Sequence, residues 1–142
     1  MGNDNSATLL ASTVVLVENG DLRDALVACL VEGGFVPTSV LHLRTLEALL
    51  TTGDPLRPDL VVIDVGRARP DDLVPIHALL ALPALLGVPA LLLTTVGEEH
   101  LSQLPDPGPL ARYVAEPFDV SSLWVVARAL IQLAHAACAP AP

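Results

Sequence analysis

The sequence predicts an α/β protein in which helices cover both faces of a five-stranded, doubly wound parallel sheet. The stretch 58–64 places four consecutive apolar residues, three of them β-branched, between two aspartates. A run of this kind is typical of a strand that is buried on both faces. Similar runs alternate with helical patterns along the chain, and right-handed crossovers then favour a parallel sheet with strand order 2-1-3-4-5.

The elements follow one another in a regular order. We expect a flexible leader over residues 1–12, one domain over residues 13–137 and a loose tail over residues 138–142. The predicted strands cover residues 13–17, 35–40, 60–64, 90–94 and 112–115. The predicted helices cover residues 22–32, 43–51, 71–86, 98–104 and 121–137. Asp21 is the predicted cap of the first helix, Ala25 and Leu49 are expected to face inward, and Pro37 places the second strand at a sheet edge.

Composition excludes several classes of function. The net charge is −9, and phosphate binding needs Lys and Arg, so this chain alone is not expected to bind nucleic acid. Its seven basic residues are all arginine, so the chain contains no lysine. Cys29 and Cys138 have no metal or redox spacing, which favours reduced thiols and a cytoplasmic location. Residues 73–96 carry no Asp, Glu, Lys or Arg, but three prolines and a glycine interrupt them, so no membrane span is predicted.

Polar residues follow the ends of four predicted strands. They are Glu18 and Asn19, then Asp64, then Thr94 and Thr95, and finally Glu116. The carboxyl ends of parallel strands lie at one edge of a sheet, where ligands bind in such folds. The alternative for Asp64 is that it caps the strand or a turn.

Three segments carry a resemblance to a known family. They are 58–64 (PDLVVID), 91–95 (LLLTT) and 113–118 (YVAEPF), in family-like order and spacing. Over residues 13–135 the chain resembles the receiver domains of two-component response regulators. The resemblance implies a (βα)5 fold with flavodoxin-like strand order, a signalling role that is not enzymatic, and a sensor histidine kinase or other signalling protein as partner.

The resemblance also implies roles for individual residues. Asp64 corresponds to the aspartate that accepts a phosphoryl group. Glu18, Asp64 and the Gly66 carbonyl correspond to the Mg²⁺ ligands. Thr94 corresponds to the residue that hydrogen-bonds the phosphoryl group, and Tyr113 to the aromatic that then turns inward.

Several positions depart from the family pattern. Only one carboxylate, Glu18, follows the first strand, so Mg²⁺ binding is expected to be weak, and the metal position that Glu18 fills stays open. Glu116 occupies the position of the usual lysine, where a carboxylate repels a phosphoryl group. Arg67 and Arg69 could supply positive charge, or pair with Asp64 or Glu116 in place of a metal, or be solvated loop arginines.

The last helix predicts a contact surface. After its core stripe is assigned, four residues are left over: Trp124, Val125, Arg128 and Leu133. Exposed apolar residues of this kind indicate a partner surface or a homodimer through this helix. The alternative is that Trp124 folds back over the core.

Together these features predict an atypical receiver-like domain that acts by protein–protein contact, with Asp64 as an impaired phosphoacceptor. Two alternatives remain open at this point. One is a phosphorylation-switched receiver with Mg²⁺-dependent transfer to Asp64. The other is a flavodoxin-like domain that binds a small ligand, which requires a pocket deeper than that of a receiver.

Overall fold

One five-stranded parallel sheet organises the protein. The structure is a computed structural model that describes residues 11–52 and 57–138. The strand order is β2-β1-β3-β4-β5, which confirms the predicted fold class. The strands are β1 (Ala11–Leu16), β2 (Phe35–Val40), β3 (Leu60–Gly66), β4 (Ala90–Thr94) and β5 (Ala111–Ala115). The predicted leader up to residue 10, the helix stop at 53–55 and the tail from residue 139 lie outside the described residues.

Four α-helices connect and follow the strands. They are α1 (Gly20–Glu32), α2 (Leu43–Thr51), α3 (Pro70–Leu80) and α4 (Val120–Cys138). The predicted helix over residues 71–86 was too long: α3 ends at Leu80, and a short 3₁₀ helix, Pro83–Leu85, follows. Pro83 lacks the N–H that would continue α3, so the chain turns there. The predicted helix over residues 98–104 is a 3₁₀ helix, Glu98–Gln103, and not an α-helix.

The sheet separates two apolar cores. One core lies under α2 and α3 and includes Val61 and Ile63, while the other lies under α1 and α4 and includes Leu60 and Val62. Successive residues of β3 therefore point to opposite faces, and both faces are buried, as its unbroken apolar run predicts. Complete burial of each such side chain contributes about 1.5–3 kcal/mol.

The structure corrects some predicted helix details. The cap of α1 is Asn19, whose Oδ1 accepts a hydrogen bond from the Leu22 N–H at 2.9 Å, and not Asp21. Ala25 and Leu49 are exposed, contrary to the prediction. In α2 the buried residues are Leu46 and Leu50, which are four positions apart and lie one above the other, leaving Leu49 to one side.

Both edges of the sheet are now defined. β2 forms one edge and contains Pro37, as predicted, and β5 forms the other. No helix among the described residues is long and apolar enough to span a membrane. All five strands are parallel, so the residues that follow them gather at one edge of the sheet.

Candidate functional site

Asp64 lies near the carboxyl end of β3, at the rim of an open cleft of about 460 Å³. Its Oδ1 accepts a hydrogen bond from the Gly66 N–H at 2.9 Å. The pairing of β3 with β4 shifts register between Asp64 and Gly66, where the strand is irregular. The Asp64 carboxylate is thus partly exposed in the cleft and is held by the backbone just after it.

Gly66 has a left-handed backbone conformation with φ of 56°. Its carbonyl oxygen accepts two hydrogen bonds, one from the Thr94 hydroxyl at 2.6 Å and one from the Thr95 N–H at 2.8 Å. A carbonyl oxygen has two lone pairs, and both are engaged here. The carbonyl that the resemblance assigns to Mg²⁺ is therefore bound to the end of β4.

Thr94 is fully buried at the end of β4. Its hydroxyl donates to the Gly66 carbonyl and accepts a hydrogen bond from the Val96 N–H at 3.1 Å. The single hydroxyl proton is therefore used inside the protein. In this arrangement Thr94 has no donor for a group bound at Asp64.

Glu116 follows β5, and its N–H donates to the Thr94 carbonyl at 2.8 Å. The peptide bond between Glu116 and Pro117 is cis. Partial burial, and secondly the charge of Asp64, raises the pKa of the Glu116 carboxyl above its ordinary value. The position assigned to lysine therefore carries an acid close enough to Asp64 for the two to repel each other.

The predicted Mg²⁺ ligands do not form a complete site in this arrangement. Glu18 is exposed and lines the same cleft as Asp64, but the Gly66 carbonyl is already engaged. Within residues 11–52 and 57–138, no group of three His, Cys, Asp or Glu side chains is placed to hold a metal. Weak Mg²⁺ binding therefore stays a prediction.

Sequence reasoning missed two carboxylates of the cleft, those of Asp71 and Asp72. They lie in the first turn of α3, directly after β3 and its loop. The signal was present in the sequence, because a helix that follows a strand of a parallel sheet starts at the carboxyl edge. Their presence makes the lining of the cleft more acidic than predicted.

Arg67 and Arg69 do not pair with the site carboxylates. Both are exposed, and Arg69 precedes α3, where its N–H donates to the Asp72 carboxylate at 3.2 Å. In the described part of the chain the one ion pair within 4 Å joins His100 and Glu99, at 3.7 Å. The arrangement matches the third of the sequence alternatives, in which both side chains are solvated.

Tyr113 lies in the middle of β5, and its ring packs partly against the core under α3. Its hydroxyl donates to the Pro105 carbonyl at 2.8 Å. Burial, and secondly the charge of Asp106, raises the pKa of the Tyr113 hydroxyl. The side chain is thus attached to the proline-rich loop that precedes β5.

The four residues assigned to the contact surface of α4 separate into two pairs. Trp124 is partly buried, and its indole N–H donates to the Cys29 carbonyl at 2.9 Å, so the alternative in which it folds over the core is the correct one. Arg128 donates to the Gly33 carbonyl, and its guanidinium carbon lies 5.9 Å from the centre of the Phe35 ring. Val125 and Leu133 remain, with exposed fractions of 67% and 46%.

Known structures share this architecture. The chemotaxis protein CheY4 of Vibrio cholerae is 19% identical with a TM-score of 0.66, and the match covers 85% of this chain and 98% of that one. The receiver domain of the sensor histidine kinase PA1611 of Pseudomonas aeruginosa, crystallised with a magnesium ion coordinated in its active site cleft, is 18% identical. Its TM-score is 0.65, and the match covers 87% of this chain and 98% of that one.

A third similar structure belongs to a longer protein. NtrX of Brucella abortus, in complex with ADP, is 17% identical with a TM-score of 0.71, and the match covers 91% of this chain but 28% of that one. Comparison with protein-family models and with curated proteins gives no match. The class of fold is therefore the CheY-like fold of response-regulator receiver domains.

Proposed function

We propose that this chain is a receiver-fold signalling protein that acts by protein–protein contact and does not depend on phosphorylation of Asp64. The observation that supports this most strongly is the closed pair formed by the Gly66 carbonyl and the Thr94 hydroxyl. In the resemblance, one of these groups binds metal and the other binds the phosphoryl group. Here each satisfies the other.

Charge supports the same proposal. Phosphoryl transfer is catalysed mostly by metal ions and cationic side chains that stabilise charge on the transferring oxygens. The cleft instead presents the carboxylates of Glu18, Asp64, Asp71 and Asp72, with Glu116 close by. Two unit charges 4 Å apart near a protein surface interact by about 4 kcal/mol, so a carboxylate in place of an ammonium opposes a phosphoryl group strongly.

The contact surface in this proposal includes the outward face of α4. Val125 and Leu133 are exposed there, while Arg128 of the same helix is bonded to the Gly33 carbonyl. An apolar face of this kind favours contact with another protein. The partner class is a sensor histidine kinase or other signalling protein, and a homodimer through α4 stays a prediction.

The first experiment is a titration with Mg²⁺ and beryllofluoride, a mimic of a phosphoryl group. The amide NMR signals of Gly66 and Thr95 report on the site, and Trp124 fluorescence reports on the junction of α1 and α4. We expect no saturable change in the folded protein, because the Gly66 carbonyl and the Thr94 hydroxyl are already engaged. The Pseudomonas receiver domain that was crystallised with magnesium is a positive control for metal binding.

The Asp64→Asn variant makes the result specific. A saturable response in the wild-type protein that this variant abolishes would contradict the proposal and support the phosphorylation-switched alternative. A response that persists in Asp64→Asn would indicate binding elsewhere and leave Asp64 without the acceptor role.

A further inference from the structure

The outer edge of β5 carries backbone groups that no other strand of the described chain pairs with. On its inner side, the Leu110 carbonyl accepts from the Ala90 N–H at 2.9 Å, and the Glu116 N–H donates to the Thr94 carbonyl at 2.8 Å. Residues 110, 112, 114 and 116 therefore face β4, because hydrogen-bonding directions alternate along a strand. The N–H and C=O groups of Tyr113 and Ala115 point away from the sheet.

Open space runs beside this edge. A groove of about 460 Å³ is lined by Leu101 and Ser102 of the 3₁₀ helix, Asp106 and Pro107 of the loop, and Arg112 and Tyr113 of β5. We call it the edge groove. A full α-helix was predicted before this loop, and the shorter 3₁₀ helix Glu98–Gln103 takes its place.

The two edges of the sheet differ in their protection. β2 contains Pro37, which has no N–H to offer to an added strand. Proteins commonly block edge strands with proline or charge, because an unblocked edge pairs readily with another strand. β5 contains no proline, and its one charged residue is Arg112. Its chemistry is therefore that of an edge that can accept a strand.

The outward groups of β5 are arranged symmetrically. Residues 111, 113 and 115 point outward, and Tyr113 lies at their centre. An antiparallel copy of β5 would pair Tyr113 with itself and Ala111 with Ala115. The Ala111 N–H already donates to the Gly108 carbonyl, but its own carbonyl oxygen faces outward. Arg112 would lie opposite Val114 of the copy, so no like charges oppose each other directly.

We propose that two copies of this chain associate through their β5 edges, which pair antiparallel around Tyr113 and continue the sheet from one copy into the other. The second copy is the occupant that the symmetry favours, since a two-fold interface requires a surface that complements itself. This inference concerns a surface outside the Asp64 cleft, so it stands or falls independently of the proposed function.

The first test measures self-association and the edge amides together. We expect sedimentation equilibrium to show a shift from monomer to dimer as the concentration rises. Hydrogen exchange at the Tyr113 and Ala115 N–H groups should slow over the same concentration range. A protein that stays monomeric up to millimolar concentration would overturn the proposal, and so would a dimer whose edge amides exchange as fast as those of the monomer.

A proline variant removes one outward donor. Ala115→Pro should weaken the dimer about tenfold or more, since the two-fold loses the same hydrogen bond twice. Ala115→Ser retains the N–H and should associate like the wild-type protein. Ser39→Pro places a proline two residues beyond Pro37 on the opposite edge and should also leave association unchanged. Equal association of Ala115→Pro and Ala115→Ser would contradict the pairing.

A cross-link keeps the test decisive if Ala115→Pro fails to fold. Opposed residues in a hydrogen-bonded antiparallel pair have Cα atoms about 5.5 Å apart, within the range of a disulfide. In a Cys138→Ser background, Tyr113→Cys should form a disulfide-linked dimer under mild oxidation. Thr38→Cys, on the exposed part of β2, is the matched control. Equal cross-linking of both variants, or none in Tyr113→Cys, would count against the β5 interface.

Discussion

Two neighbouring strand ends at the site, those of β4 and β5, differ in how their polar residues are satisfied. At the end of β4, Thr94 is fully buried and its hydroxyl both donates and accepts a hydrogen bond. At the end of β5, the Glu116 carboxyl is partly buried and is repelled by Asp64, which contributes to its raised pKa. The first arrangement stabilises the fold and the second opposes it.

The difference shows which part of the site the fold depends on. The bonds from Thr94 and Thr95 to the Gly66 carbonyl join β4 to β3 where their register shifts. The Glu116 side chain makes no comparable bond among the described residues, and its charge is unfavourable. We therefore expect substitutions at the two ends to change stability in opposite directions.

The largest effect is expected at Thr94. Thr94→Val keeps the shape of the side chain but removes the hydroxyl, leaving the buried Val96 N–H without its acceptor. The expected loss is about 2 kcal/mol in the free energy of unfolding, measured by urea denaturation. Thr94→Ser retains the hydroxyl and should lose less. Equal losses in the two variants would show that the methyl group, and not the hydroxyl, secures this end.

A smaller loss is expected at Gly66. Its φ of 56° is unfavourable for a residue with a side chain, although a Cβ there would meet no atom within 4 Å. Gly66→Ala should therefore lower the free energy of unfolding by about 1–2 kcal/mol through backbone strain alone. Gly20→Ala, at a glycine with negative φ at the start of α1, is the control. An unchanged stability in Gly66→Ala would indicate that the loop relaxes and the carbonyl bonds are weak.

The smallest effect, and one of opposite sign, is expected at Glu116. A carboxyl with a raised pKa in the folded state loses stabilisation as the pH rises through that pKa. Glu116→Gln removes the charge and should raise the free energy of unfolding at neutral pH by about 0.5 kcal/mol, since partial exposure screens the repulsion. The gain should vanish below the ordinary pKa of a glutamate. Glu98→Gln, at an exposed position, is the control, and a gain that persists in acid would exclude the charge explanation.

The sequence predicted the sheet well because its strongest signals are continuous. The apolar runs of β3 and β4 gave strands at the correct places, and Pro37 correctly marked an edge. The predicted helix over residues 98–104 was less accurate, since a short polar segment between a glycine and a proline favours 3₁₀ and α geometry almost equally. The cap of α1 was assigned two residues too late, because Asn19 and Asp21 are both good capping residues.

The site was predicted by position but not by contacts. The carboxyl edge of the sheet brings Glu18 and Asp64 to one cleft, as parallel topology requires, and Glu116 close to Asp64. The bonds from Thr94 and Thr95 to the Gly66 carbonyl depend on a register shift and a left-handed glycine, which residue types alone do not specify. The same holds for Trp124, whose hydrogen bond depends on how closely α4 approaches α1.

The contact between Trp124 and Cys29 also bears on the order in which the chain can fold. It joins residues 95 positions apart, and contacts of such long sequence separation form late and slow the folding of a domain. During synthesis from the amino terminus, α1 and the face of β1 beneath it wait for α4, which is made last. Until then the apolar residues Val15, Leu26 and Leu30 lack the covering that α4 helps to provide. The last helix thus completes the core that the first helix begins.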